Sequence, residues 1–294
     1  MSLLVSLVLA TVGRTTEPAR GLRALAAQSW CAVEVLVIDQ NDDDRLVPII
    51  AEARAAGLCV RHERFGRRSL SGARNHGLAL AAGEIVGFPD DDCWYEPDTL
   101  RHLVAQWGAQ EEGGSPALVV GCWVEQAQQL GVLAAPARVL RPGEVRAFRG
   151  RRASSITLFA RTALLREIGG FDERFGVGQW FGSAEETDLV MRLAARGERM
   201  LYQPAIRVHH PVPLSGAPER LAPADLARLR ARERGTGGLY AKHRLSRWVI
   251  GRGLVAPWLL PLLRGQLGAV RRGWSCSRGR LEGLRSWPGP EGVR

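Results

Sequence analysis

Three consecutive carboxylates, Asp90, Asp91 and Asp92, close the apolar run Ile85-Val86-Gly87-Phe88-Pro89. Acids side by side at the end of a strand repel one another, and a divalent cation is the partner that makes such a cluster tolerable. A second acidic group, Glu185-Glu186-Thr187-Asp188, opens a stretch with helical spacing, and a helix N-terminus favours acids through the backbone dipole. Arg74 lies one turn into a helix opened by Ser71-Gly72, where guanidinium and dipole can both face an anion. Trp180, between the glycines of Gly176–Gly182, is an aromatic on a loop that suits stacking against a ligand face. His209 and His210 end a strand; neighbours on a strand point opposite ways, so only one can serve a given site.

The elements that must carry these groups alternate. Leu3–Ala10 reads as a buried strand, Glu17–Gln28 as an amphipathic helix, Val33–Asp39 as a strand and Arg45–Ala56 as a helix. Leu58–His62, Ser71–Ala82, Glu84–Pro89, Pro97–Gln110 and Ala117–Trp123 continue as strand, helix, strand, helix and strand. This is the rhythm of a parallel sheet covered by helices on both faces. Ligands of such sheets bind beyond the carboxyl ends of the strands. Three features fall there: Thr11–Arg14, Asp39-Gln40-Asn41-Asp42 and Asp90–Asp92. Neither a G-x-G-x-x-G turn after the first strand nor a G-x-x-x-x-G-K-[ST] loop occurs, so dinucleotide and P-loop chemistry lack their phosphate cradle.

The chain has 294 residues, 46% of them hydrophobic, enough for one large domain with an appendage. Its five cysteines are odd in number and far apart, which indicates neither a disulfide framework nor a zinc site and fits a reducing cytosol. The start reads as a core strand without a basic leader region. The net charge of +10 is confined to the end: residues 1–218 carry −1 and residues 219–294 carry +11. A neutral body with a basic, Trp-containing tail suits an anionic membrane surface and not nucleic acid. All basic residues but Lys242 are arginine, a preference that reads as genomic composition.

Five stretches in order resemble the family 2 glycosyltransferases of the GT-A fold. They are Thr11-Val-Gly-Arg14, Val-Ile-Asp39-Gln40-Asn-Asp, Ala73-Arg74-Asn75-His-Gly77 before Gly83–Asp92, Gly169-Gly170-Phe171-Asp172-Glu173, and Glu185-Glu186-Thr-Asp188-Leu. The resemblance covers about residues 3–210. It implies an α/β domain with a GT-A type nucleotide-binding sheet, and inverting transfer of a sugar from a nucleotide diphosphate sugar to an acceptor hydroxyl. A divalent metal, Mg²⁺ or Mn²⁺, would sit on the diphosphate.

By the family's D-x-D pattern, Asp92 holds the metal and Asp90 lies near the ribose and the metal, with Asp91 a hydrogen-bond acceptor in the fold or at the nucleotide. The resemblance also puts a histidine near the metal, for which His209 is the expected residue. Thr11, Arg14, Asp39, Gln40 and Arg74 are expected around the nucleotide. Many members carry Asp-Asp where this chain has Asp39-Gln40, which leaves uracil, thymine and guanine open. The family's general base is the aspartate of a Glu-Asp pair, and Glu186 stands at that position behind Glu185. Trp180 and Asp188 are the acceptor-side candidates.

Residues 124–155 interrupt the alternation and, with Pro136, Pro142 and the basic run Arg149-Gly150-Arg151-Arg152, read as a loop shaping substrate access. Ala224–His243 reads as an Arg-rich helix. Trp248–Leu263 is too short and too interrupted by Arg252, Pro257 and Pro261 to cross a bilayer, and reads as interfacial. The expected division is a catalytic domain over 1–210 and a helical basic tail over 211–294, with Pro211–Pro223 as the boundary. The expected protein is a cytoplasmic enzyme at the inner membrane face, acting on a glycan or lipid-linked acceptor in bacterial surface polysaccharide or glycolipid synthesis. Two other readings are a nucleotidyltransferase that makes the activated sugar, which usually has a Gly-rich Arg/Lys loop absent from Thr11–Thr16, and a non-catalytic binding subunit.

Overall fold

The computed structural model describes residues 3–108, 114–133, 135–146, 154–211 and 222–288. The chain divides into two compact units. The first comprises Met1–Phe171 with Leu189–Val212, and the second Asp172–Asp188 with Pro213–Arg294. The boundary expected near residue 210 is therefore crossed: the segment 172–188 groups with the C-terminal helices.

The first unit is built on a nine-stranded sheet. Strands β1 (Val5–Thr11), β2 (Val33–Asp39), β3 (Cys59–Arg64) and β4 (Ile85–Gly87) pair in parallel in the order β3-β2-β1-β4. Helices α1 (Thr16–Ala26), α2 (Val47–Ala55) and α3 (Leu70–Leu80) connect them. β1 is buried along its whole length. Val5, Leu7 and Leu9 join one apolar cluster and Val8 and Ala10 the other, as a strand covered on both faces requires.

The parallel rhythm stops at β4. Its next neighbour is β8 (Leu158–Arg161), antiparallel and outside the expected elements. β8 also pairs antiparallel with β6 (Leu118–Trp123), which follows helix α4 (Thr99–Gly108). β9 (Met200–His209) lies parallel to β6, and β5 (Trp94–Tyr95) and β7 (Arg138–Val139) pair antiparallel with β9. The stretch expected to be irregular contains α5 (Val124–Gln129) and α6 (Pro142–Arg146); Arg149, Arg151 and Arg152 lie outside the described residues. Helix α7 (Thr162–Glu167) follows β8, and α8 (Glu185–Ala195) precedes β9. Most of Pro211–Pro223 also falls outside the described residues.

In the second unit, α9 (Pro223–Lys242), α10 (Arg247–Leu263) and α11 (Leu267–Ser286) pack together. Along α9 and α11 the helices touch through glycine: a Cβ at Gly237 would overlap the Arg280 carbonyl, and one at Gly283 the Arg234 carbonyl. α10 stays one helix despite Pro257 and Pro261. Pro257 has no N–H for the carbonyl of Gly253, and the Arg280 guanidinium donates to that oxygen instead, at 2.7 Å.

Candidate functional site

In the first unit the acidic triplet meets the ends of β1 and β9. A parallel bridge between Ala10 and Asp90 sets the triplet beside β1. The Thr11 hydroxyl donates to Asp91 at 2.7 Å, and Arg14 pairs with Asp91 at 2.8 Å and with Asp92 at 2.5 Å. Arg74, only 1% exposed, donates to Asp90 at 2.7 Å and lies over the Phe171 ring. α3 is capped by Ser69, whose hydroxyl accepts from the Gly72 N–H, so Arg74 is carried one turn in from a fixed start. Burial pushes the Asp91 carboxyl up. Asp92 is pulled down to about 2 by its hydrogen bond to His210 and, beyond that, by Arg14.

The imidazole brought to this cluster is that of His210, not His209. His210 Nε2 is 2.9 Å from Asp92, and Asp90, Asp92 and His210 each offer a ligand atom within 4.8 Å of the others. His209 points the other way along β9, stacked on Trp94 with Nδ1 at 2.7 Å from Glu125 and Nε2 at 3.2 Å from Glu96. The register Trp94↔His209 places that ring beside β5, and alternation turns the next residue toward the aspartates. Glu125 accepts the His210 backbone N–H at 3.2 Å, and Trp123 Nε1 donates to its carbonyl at 2.9 Å.

Beyond β2, Asp39 and Gln40 are bonded within the protein. Asp39 is fully buried. It accepts from the backbone and side chain of Asn41 at 2.9 and 2.7 Å, and faces His62 at 2.8 Å and Arg64 at 3.0 Å. Gln40 Oε1 accepts from the Ser69 N–H at 2.9 Å, which ties β2 to the start of α3. His62 and Arg64 were not read from the sequence. The available signal was their position at the carboxyl end of β3, where Arg64 is in register with Asp39.

The second unit carries the other acidic group. Ala184, before α8, has φ of 86°, a conformation that costs an L-residue about 1–2 kcal/mol and marks a turn held by its surroundings. Its carbonyl accepts the Asp188 N–H at 2.9 Å. Glu185 is buried and Glu186 half-buried. Asp188, expected on the acceptor side, is fully buried between Lys242 at 2.6 Å and His243 at 2.8 Å. Burial removes it from any acceptor surface. Trp180 is 55% exposed, with the Arg234 guanidinium 3.7 Å from its ring centroid and Nε1 donating to Ser286 at 3.2 Å.

The loop before α8 lies on α9. Ser183 Oγ donates to the Arg232 carbonyl at 2.7 Å, and a Cβ at Gly235 would overlap the Ser183 carbonyl. Gly235→Ala is therefore expected to destabilise the protein by about 1–3 kcal/mol, measured as a lower urea midpoint with unchanged slope.

Residues 6–153 match the family model Glycosyl transferase family 2, half of the chain. The chain belongs to glycosyl transferase family 2. Among curated proteins it is 26% identical over 202 residues to the glucosyl-dolichyl phosphate glucuronosyltransferase of Haloferax volcanii, covering 64% of this chain and 62% of that protein's length. Among solved structures it resembles the mannosyltransferase PcManGT from Pyrobaculum calidifontis in complex with GDP-Man and Mn²⁺. The TM-score is 0.65 at 18% identity, over 97% of this chain and 86% of that one. TarS residues 1–349 from S. aureus in complex with UDP-GlcNAc gives a TM-score of 0.60 at 16% identity, over 92% and 90%. These likenesses establish the GT-A fold.

For this family 2 chain, the match ends before Gly169–Glu173 and Glu185–Asp188. Within the second unit, burial would raise the Asp172 carboxyl, but Arg174 and Lys242 more than reverse it and hold it well below its ordinary value. A depressed carboxyl contributes stability that is complete above its unfolded pKa, near 4, and is lost as pH falls toward its folded value. Asp172→Asn should flatten the acid limb of the stability curve, read by urea unfolding at about pH 3 and pH 6.

Proposed function

We propose that the protein is an inverting glycosyltransferase that moves a sugar from a nucleotide diphosphate sugar to a hydroxyl of a glycan or lipid-linked acceptor. The carrying observation is the convergence of Asp90, Asp92 and His210 with Arg14 and Arg74 at the carboxyl ends of a GT-A sheet. Two carboxylates and one imidazole make a donor set that fits a divalent cation, and the nitrogen favours Mn²⁺ over the oxygen-preferring Mg²⁺. Such a cation, held by Asp90, Asp92 and His210, supplies charge neutralisation for the departing diphosphate.

The chain's own residues do the rest. Arg74, buried and paired with Asp90, orients that carboxylate and sets positive charge behind the triplet. Asn41, His62 and Arg64, oriented by Asp39, line the nucleoside end. Thr11 and Asp91 hold β1 to the triplet. Glu186 takes the acceptor proton as the hydroxyl attacks the anomeric carbon from the face opposite the leaving group.

Thermal unfolding with UDP-GlcNAc, GDP-mannose and related nucleotide sugars, each with Mn²⁺ and with EDTA, tests this reading. A donor at 100 times its dissociation constant adds about 2.7 kcal/mol, and the gain should vanish with EDTA. Stabilisation by nucleoside triphosphates and sugar phosphates alone would favour a nucleotidyltransferase.

The reading extends to a cytoplasmic enzyme of surface polysaccharide or glycolipid synthesis, peripheral on an anionic membrane. The Haloferax relative is named for a dolichyl phosphate-linked substrate. No described helix is long and apolar enough to cross a membrane. α10 buries none of its residues although it is strongly apolar. Trp248, Leu263, Leu267 and Trp274 are each more than half exposed, among Arg247, Arg264, Arg271 and Arg272. Binding to vesicles with anionic lipid is expected, at about 1 kcal/mol per arginine near the surface. It should fade as salt shortens the Debye length. Equal recovery in supernatants with anionic and neutral vesicles would refute it.

A further inference from the structure

Lys242 is the single lysine in a chain of 39 arginines, and it closes α9. Its Nζ lies 2.7 Å from Asp172 and 2.6 Å from Asp188. Both acids are in stretches with functional patterning, Gly169–Glu173 and Glu185–Asp188. The next residue, His243, reaches the same Asp188 oxygen at 2.8 Å, and Arg174 donates to the Asp172 oxygen that Lys242 also meets, at 2.7 Å, and to the other oxygen at 2.9 Å. The ammonium also faces the Phe175 and Trp287 rings, 5.5 and 6.0 Å from their centroids.

An ammonium is a compact point charge with three rotatable donors, whereas a guanidinium spreads its donors over a planar fork. Two carboxylate oxygens that converge on one point within 2.7 Å call for the former. Genomic preference does not account for this one residue.

We propose that Lys242 is a positioning residue: it locks Asp188 and Asp172 together and so fixes the first turn of α8, which carries Glu186. The inference rests on the reading of Glu186 as the base. Asp188 is in the same helical turn as Glu186, and its buried carboxylate anchors that turn from one side. From the other, α9 accepts the Ser183 hydroxyl at the Arg232 carbonyl and the Gly182 N–H at the Ala231 carbonyl, 2.7 and 3.3 Å away. One helix, beyond the family-matched segment, thus moulds the chain on both sides of Glu185-Glu186. Without the ammonium, the fully buried Asp188 would keep His243 but lose its shortest charged contact and its tie to Asp172, and the turn it anchors would loosen.

Lys242→Met tests this by hydrogen exchange and by a double-mutant cycle with Glu186→Gln. Amide exchange should rise in peptides spanning 182–190 and stay unchanged in those spanning 3–40. Turnover is followed as nucleoside diphosphate release from whichever of UDP-GlcNAc and GDP-mannose stabilises the protein with Mn²⁺. kcat should fall by about 10- to 100-fold, the cost of misplacing a reacting group by roughly an ångström, with donor KM unchanged. In the Glu186→Gln background the same substitution should cost nothing further. Losses that multiply, or unchanged exchange over 182–190, would overturn the positioning role. If Glu186→Gln alone keeps full turnover, the base assignment fails, and hydrogen exchange still judges the clamp. Should Lys242→Met not fold, Lys242→Arg, which keeps the charge and loses the point geometry, takes its place with the same outcomes.

Discussion

Glu186→Gln leaves nucleotide binding intact and lowers turnover by about 10²- to 10⁴-fold, the usual contribution of a general base. The amide keeps the size of the side chain and cannot accept a proton. Glu186 is half-buried at the start of α8, and Glu185 beside it is buried, so Glu186 is the better presented of the two. The strained backbone of Ala184 gives the turn one conformation, which suits a group whose position sets the rate. Single-turnover rates with the donor chosen by thermal stabilisation, for Glu186→Gln and Glu185→Gln in parallel, decide the matter. A Glu186→Gln enzyme within a few-fold of wild type beside an inactive Glu185→Gln would move the role one residue.

Asp92→Ala should abolish Mn²⁺-dependent binding of nucleoside diphosphate while the protein remains folded. Asp92 is the acid shared by His210 and Arg14, and its carboxyl at about 2 is ionised throughout the physiological range. Removing it takes one ligand from the cluster and releases the imidazole from its partner. A loss of at least about 10²-fold in Mn²⁺ affinity is expected, since even outer partners of metal ligands cost 10- to 100-fold. Folding should survive because two like-charged neighbours, Asp90 and Asp91, lose a repulsive contact as the attractive ones go. Electron paramagnetic resonance of free Mn²⁺ measures the affinity without any sugar donor. An unchanged value would remove Asp92 from the metal.

The parallel half of the sheet was legible because β1, β2 and β4 are apolar runs and helices of ordinary length separate its strands. β2 begins and ends where the pattern puts it, at Val33 and Asp39. In the other half β6 and β9 were read as strands, whereas β5 and β7, with two residues each, and β8, with four, are too short for periodicity to register. The triplet and Arg14 were legible as residue types at strand ends, and Arg74 as one turn into a helix. The choice between His209 and His210 was not, because it depends on the register of β9 against β5, which only pairing defines. Asp39 and Asp188 were recognised as special but given contact roles. Each is a buried acid that holds the side chains around it by hydrogen bonds and ion pairs, a feature set by burial and not by residue type. Lys242 was the reverse: its rarity was visible and was read as composition.

The glycine seam between α9 and α11 bears on how the second unit responds to temperature. Where Gly237 and Gly283 bring backbone against backbone, the helices meet with little apolar side-chain surface between them. Heat capacity of unfolding rises with apolar area exposed and falls with polar area. This pair therefore contributes little to it, and its stability is drawn from dispersion contacts and ion pairs such as Arg280 with Glu233. The α9–α11 pair should accordingly lend little curvature to stability with temperature, and so weaken less on cooling than a Leu-packed helix pair of equal length.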